Sequence, residues 1–404
     1  MIDIKDKKEC CGCSACIQKC PKQCISLQED NEGFLYPLVD KANCIDCGLC
    51  EKVCPVLHQN EPRRPLKANA AINKNEEIRL QSSSGGVFTL LAEKIINEGG
   101  VVFGARFDDN WEVMHDYTDT IEGLAAFRGS KYVQSRIEDN FKKAENFLKE
   151  GRKVLFSGTP CQIAGLKSYL RKEYDNLLTV DFICHGVPSP GVWRRYLKET
   201  IAHECDKNSV LSDPISKESS HIESISFRNK STGWEKYSFS LTFSALTTRE
   251  RCKKVITFNE IYFKNLFMKG FLADLYLRPS CYDCPSKCSK SGSDLTIADL
   301  WKASKVIGKK DDDKGICLLI DNSKKCEFAS LDLFYEEIDV EQALINNPVF
   351  YKSVKYPQKR LLFYEKYFLN EKISSIVKIL TRISIWKRAL FIIKRIIKKI
   401  IGRK

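Results

Sequence analysis

Eight cysteines near the start of the chain carry the clearest chemistry. Cys10, Cys13, Cys16 and Cys20, followed by Pro21, spell C-x2-C-x2-C-x3-C-P. Cys44, Cys47, Cys50 and Cys54, followed by Pro55, repeat it, with every interval between the copies 34 residues. Three thiolates on one tight loop can take three corners of an iron–sulfur cube, and the fourth, starting the next helix, turns away toward another cube. The spacing therefore predicts two [4Fe-4S] clusters and one-electron chemistry. Zinc is the competing reading, but it takes four ligands, usually as two C-x2-C pairs; two three-plus-one groups, each closed by Cys-Pro, fit it poorly. Cys11 and Cys24 fall outside the motif, and Cys24 reads as a small core residue.

Composition points the same way. The chain has 404 residues and 19 cysteines, an odd number, and its first ten residues, MIDIKDKKEC, do not look like an export signal. Ligation of metal or clusters thus outweighs a disulfide framework. A reducing cytoplasm is expected, in an anaerobe, because exposed clusters are oxygen-sensitive. No uncharged apolar run is long enough to span a membrane. The net charge of +13 is uneven: residues 371–404 hold eleven Lys/Arg against one acid, Glu371, and so account for +10 of it. A nucleic-acid partner for the whole chain loses its main support.

These cysteines need a scaffold. Residues 1–58 read as an α+β bicluster ferredoxin domain, and 59–67 (QNEPRRPLK) as a linker. From residue 68 strands alternate with helices: a Gly-rich turn enters a helix with apolar Val87, Leu90, Leu91 and Ile95, then come VVFGARF, a helix near 138–149, VLFSG, PCQIAGLKSYL, LLTVDFIC and GVWRRYLKETIA. The pattern predicts an α/β domain with a mainly parallel sheet and ligands at the strand ends, divided as 68–150 and 151–305. Residues 206–221 read as a surface loop, and ISFRN with KYSFSLTFS as an inserted β-hairpin turning at 230–233. Residues 306–370 are mixed. Residues 371–404 read as a basic amphipathic helix: Ile376, Ile379, Ile383, Trp386, Leu390, Ile393, Ile397 and Ile400 form one stripe with cations off it. Such a helix is a candidate for peripheral contact with the inner membrane surface through 373–401, and packing on the protein's own body is the competing expectation.

Two resemblances extend the reading. The cysteine repeat resembles bacterial two-cluster ferredoxins, which implies Cys10, Cys13, Cys16 and Cys54 for one cluster and Cys44, Cys47, Cys50 and Cys20 for the other. The segments SSSGGVFTLLAEKIINEGGVVFGARF, RGSKYVQS, FSGTPCQIAGLKSYL, DFICHGVPSPGVW and CYDCPSKCSKSGSDLTIADLW, in that order, together resemble the coenzyme F-420 hydrogenase/dehydrogenase beta-subunit family, in its N- and C-terminal parts. That resemblance implies a flavin, FAD, with a third [4Fe-4S] cluster beside it.

For the flavin, Ser84, Gly85 and Gly86 open a helix, where free N–H groups and the dipole suit a phosphate or ring edge; alone they would be an ordinary cap. Lys131, Tyr132, Gln134 and Ser135 add a charge and donors, and Thr159 and Pro160 complete the set. For the third cluster the resemblance implies Cys161, Cys184, Cys281 and Cys284. Cys288 is additional and could replace one of them, and a zinc knuckle is the competing reading of C-x2-C-x3-C. Cys205, Cys252, Cys317 and Cys326 read as packing residues. His185 is the candidate catalytic proton donor, although a lone His beside Gly is more often structural. One departure stands out: related sequences usually close with IxDxWG, whereas this chain has IADLWK, with Lys302 in place of glycine.

The function expected is an iron–sulfur flavoprotein oxidoreductase, passing electrons between ferredoxin-type clusters and a flavin that acts on a small organic substrate. The competing expectations are an electron-transfer subunit of a larger complex, or a deazaflavin-coenzyme-linked dehydrogenase subunit. Partners would be a small molecule or redox coenzyme and a redox protein.

Overall fold

The computed structural model describes residues 1–208, 220–246, 253–308 and 311–382. Its strands, in chain order, are β1 (Ile25–Glu29), β2 (Leu35–Val39), β3 (Lys67–Asn73), β4 (Val101–Phe107), β5 (Val113–Thr118), β6 (Val154–Gly158), β7 (Leu177–Phe182), β8 (Ser220–Asn229), β9 (Ser238–Leu246), β10 (Lys253–Ile261), β11 (Leu295–Asp299), β12 (Cys317–Asp321) and β13 (Leu333–Ile338). The N-terminal domain is the antiparallel pair β1–β2 with two short helices, Ala15–Lys19 and Leu49–Lys52, one behind each cysteine loop.

The body is an eight-stranded sheet in the order β13-β3-β12-β11-β7-β6-β4-β5. Its centre is parallel, through the pairs β11–β7, β7–β6 and β6–β4. Both flanks are antiparallel, so the expected mainly parallel sheet is a mixed one. The reason lies in the region that the sequence left undefined. Residues 317–338 supply two strands that flank β3 on either side and both run antiparallel to it, and β12 is buried along its whole length. Runs such as VVFG and VLF, shielded on both sides, fill the centre.

Each face has its own core. The helix Val87–Asn97 lays Val87, Leu90, Leu91 and Ile95 on one face, as its apolar period requires. Helices Asn140–Lys149 and Pro160–Leu170 cover the other with Phe141, Ala144, Ile163 and Leu166. That second core continues into the N-terminal domain, whose Cys11, Cys13, Ala15 and Val53 are packed within it. Each large apolar side chain so buried contributes on the order of 1.5–3 kcal/mol.

The inserted hairpin is larger than expected. A third strand, β10, joins it, giving a sheet in the order β10-β9-β8. The segment read as a linker is not free: Asn60 Nδ2 donates to the Lys290 carbonyl, Arg63 N to the Cys288 carbonyl and Leu66 N to the Asp321 carbonyl.

The basic C-terminal helix needs correction. A helix runs Ile373–Leu380 and is capped at Thr381. Ile373, Ile376, Val377 and Leu380 are buried in the core beside the helices Pro190–Asn208 and Leu266–Leu272, while Ile379 is exposed. This first part therefore packs on the body, and the apolar stripe expected from residue 376 onward is split between core and solvent. Residues 383–404, with the rest of that expectation, lie outside the described residues, as does Cys252. Among the described residues no helix is long and apolar enough to cross a membrane.

Candidate iron–sulfur sites

The two cysteine loops share a backbone. Each turns through a pair of left-handed residues, Gly12 and Ser14 in the first copy, Asp46 and Gly48 in the second, before a short helix begins. The turns aim the three loop thiols inward. Cys10, Cys13 and Cys16 line one cavity of about 410 Å³, together with Cys54 of the other copy. Cys44, Cys47 and Cys50 line a second, of about 350 Å³, together with Cys20. The cross-over of the fourth cysteine thus places the residues in the two sets the ferredoxin resemblance implies. Cys24 also lines the second cavity, with its Sγ 3.4 Å from that of Cys20.

A third cavity, of about 660 Å³, opens at the C-terminal ends of the central strands. Cys161 reaches it from the first turn of the helix Pro160–Leu170. Thr159 is the N-cap there, and its hydroxyl also lies 3.1 Å from Cys161 Sγ. Cys184 follows β7, and Cys281 and Cys284 come from the single turn Pro279–Asp283 and its cap. Cys288 lines the same cavity, and its Sγ lies 3.6 Å from the Tyr351 carbonyl oxygen. Five cysteines from three distant segments therefore meet at one place.

Chemistry decides what such sites can hold. Burial pushes the Cys184 thiol up to about 12. Burial also raises Cys281 and Cys284, and a neighbouring Cys11, then burial, raise Cys161. Buried thiols crowded together lose their protons only to a strongly cationic centre. Among the described residues no three Cys, His, Asp or Glu side chains are placed to hold a single metal ion. A mononuclear zinc site would need its thiolates gathered at about 2.3 Å around one point. A cube, with its irons apart, suits thiols spread around a cavity, so the donor sets fit [4Fe-4S] clusters. A cluster there would supply one-electron oxidation and reduction, while the chain holds the thiolates and excludes water.

The three cavities form a series. Ile2 lines the first ferredoxin cavity, and its N–H donates to Cys50 Sγ of the second at 3.2 Å. Cys11, which the motif left unassigned, lines both the first ferredoxin cavity and the third, body cavity. Docking is tight. A Cβ on Gly165 would stand 2.7 Å from that of Cys13, and one on Gly33 would stand 2.4 Å from the Gly191 nitrogen. Gln18 Oε1 accepts from the N–H groups of Phe141 and Lys142, and Arg360 clamps Glu32 with both guanidinium nitrogens.

The residues expected at a flavin serve the protein itself. Gly85 lies against the backbone of β3 and β12, where a Cβ would stand 2.4 Å from the Ala71 oxygen, and Gly86 caps the helix Val87–Asn97 in a left-handed conformation. Ser84 Oγ donates to the Ile316 carbonyl. All three protons of Lys131 Nζ have acceptors, the carbonyls of Ala126, Arg128 and Gly129, and burial pushes its pKa down to about 7. Tyr132 stacks on Phe271. Gln134 bonds to the ferredoxin loop through the Cys11 carbonyl. Ser135 lies between His115 and Gln162 behind Cys161, and Pro160 is the first helical residue of that segment.

His185 is at the third cavity, with Nε2 2.6 Å from Asp274 Oδ1. Lys302 takes φ 57°, ψ 41°, so the turn that a glycine would make is kept with a lysine in it, at a cost on the order of 1 kcal/mol. Asp299 of the same motif pairs with buried Arg228 at 2.8 Å. Sequence reading missed Arg278, Arg360 and Cys11; the only signal for the last was its place beside the motif.

A ferredoxin-like domain docked on an α/β body, with three cysteine-lined cavities in series, defines an iron–sulfur electron-transfer protein of oxidoreductase type. Residues 9–57 match the 4Fe-4S dicluster domain family. Residues 151–331 match the family described as the C-terminal part of the coenzyme F420 hydrogenase/dehydrogenase beta subunit. Residues 68–150, expected to be the N-terminal part, lie outside both matched segments. No curated protein matches the chain. Among solved structures, a chain of the xenon-derivatised F420-reducing [NiFe] hydrogenase complex from Methanosarcina barkeri is similar over 79% of this chain and 90% of that one, with 16% identity and a TM-score of 0.38.

Proposed function

We propose that this chain is an electron-relay subunit of a redox assembly, carrying single electrons between a protein partner at the second ferredoxin site and a two-electron carrier at the body. The observation that supports this most is the series of cavities, with Cys11 lining the two inner ones. Cys47, exposed on the second site, gives a redox protein its approach. The third site lies at the strand ends where α/β bodies collect their ligands. The matched family's description makes a deazaflavin coenzyme the first candidate for the two-electron carrier. FAD held by Ser84–Gly86 and Lys131–Ser135 is the weaker form of the proposal, because those groups are bonded within the chain. His185 and Asp274 would hold and move a proton beside the third site.

Anaerobic purification followed by iron, sulfide and flavin analysis tests this. Three clusters require about twelve iron and twelve sulfide per chain. About eight iron with zinc would remove the third cluster from the reading, and stoichiometric FAD would restore the flavin reductase in place of the relay.

A further inference from the structure

Among the described residues four arginines are deeply buried, and three have a carboxylate. Arg79 pairs with Asp312, Arg228 with Asp299 and Arg360 with Glu32. The fourth, Arg278, is 1% exposed and has none. Its Nε donates to the Cys10 carbonyl at 2.7 Å, Nη1 to Gln134 Oε1 at 2.9 Å and Nη2 to the Leu35 carbonyl at 2.9 Å. Nη2 also reaches Cys10 Sγ at 3.4 Å. The guanidinium lies over the Tyr36 ring, 4.3 Å from its centroid. A buried cation with only neutral acceptors costs several kcal/mol, so an anion belongs beside it. The thiol it touches is a ligand of the first ferredoxin site, and a cube bound by four thiolates is net negative.

Arg278 is also three residues before Cys281, so one short segment faces two sites. Among the described residues no buried arginine lines the second ferredoxin cavity. The left-handed residue Asp46 of that copy faces solvent, where Gly12 of the first copy would bring a Cβ within 2.8 Å of Arg278 Nη1.

We propose that Arg278 is the counter-cation of the cluster bound by Cys10, Cys13, Cys16 and Cys54, and that its fixed charge and N–H···S bond raise that site's reduction potential. This rests on the reading of the cysteine sets as cluster sites. The step concerned adds one electron to that site, supplied by dithionite in the test, with no proton taken up and the guanidinium unchanged. A positive charge and a donor at a ligand sulfur both favour the more negative, reduced state.

The test is a redox titration followed by paramagnetic resonance, on the anaerobically purified full chain, for wild type, Arg278→Gln and Arg278→Lys. In Arg278→Gln one ferredoxin signal, the one that Cys16→Ser removes or alters, should shift its reduced-to-oxidised ratio at least tenfold toward oxidised. For a one-electron couple that is about 59 mV. The other signals should hold, and Arg278→Lys should recover most of the shift. Should Arg278→Gln fail to accumulate, Gln134→Glu reads the same quantity, since it places a carboxylate against Nη1 and should lower the same signal.

Unchanged midpoints with full iron content would overturn the proposal, as would an equal shift of all signals or a Lys variant as low as Gln. Loss of that cluster's iron in all three variants would also overturn it, leaving Arg278 a packing residue. Absence of iron from wild type is a different result, for it would remove the cluster reading itself.

Discussion

The two cysteine copies have one spacing and one backbone turn, yet the structure gives them opposite surroundings. The first is pressed on the body: Cys13 is buried, Gly165 approaches it, and Arg278 and Gln134 close over Gly12. The second faces outward, with Cys47 exposed and room at Gly48, where an added Cβ would meet nothing nearer than 4.0 Å. At the matched positions 12 and 46, both left-handed, the first copy has glycine and the second aspartate. At position 12 the wall of Gln134 and Arg278 leaves no room for a side chain, whereas the Asp46 side chain is 79% exposed. The repeat therefore specifies that clusters can be held, while docking buries one copy against the body and leaves the other at the surface.

Four changes test that asymmetry. The strongest should be Glu32→Ala. It strands Arg360, whose side chain is 5% exposed, at the seam between the first copy and the body, and breaking a buried pair costs about 3–5 kcal/mol. Urea denaturation under anaerobic conditions should show a marked fall in midpoint, and an unchanged midpoint would mean that the seam does not depend on this charge pair.

Next comes pH. Burial holds the His115 pKa down at about 4, against an ordinary 6.5. His115 Nδ1 meets Ser135 Oγ at 2.9 Å, next to Gln134, so it backs the segment that grips the first copy. Above pH 6.5 the imidazole is neutral in folded and unfolded chains alike, and stability is full. As pH falls from 6.5 toward 4, only the unfolded chain takes the proton, so stability is lost, by at most about 3 kcal/mol. His115→Gln should flatten that slope, and equal slopes in both proteins would refute the assignment.

Gly12→Ala should cost about 2 kcal/mol, from left-handed strain and from the contact with Gln134 Nε2 at 2.6 Å. It should also disturb the first cluster's resonance signal alone. The matched change Asp46→Gly, at a residue whose side chain is 79% exposed, should stay within about 0.5 kcal/mol. Equal effects at the two positions would erase the distinction between the copies.

Legibility followed the range of the interactions. The strands and helices of the central sheet were readable because their buried faces repeat with local period: Val87, Leu90, Leu91 and Ile95 all proved buried. Strand direction at the β3 flank of the sheet was not, because β12 and β13 pair with β3 across more than two hundred residues. The C-terminal stripe was misread at its start for the same reason: apolar residues at helical spacing suit a protein core as well as a membrane, and Ile376 went to the core. Lys131 and Gln134 were donors in the sequence; only the fold showed their donors already spent on nearby carbonyls and on the ferredoxin loop.

What the sequence determined by itself was the pair of ferredoxin sites, because eight thiols at fixed short spacing leave a tight loop few other geometries, and the chemistry is local to it. The tertiary structure alone decided that Cys161, Cys184, Cys281, Cys284 and Cys288 surround one cavity and that Cys11 lies between two. It alone decided, too, that one arginine without a carboxylate lies against Cys10. Those arrangements depend on strand ends and loops meeting after the sheet has closed, and no spacing along the chain encodes that meeting.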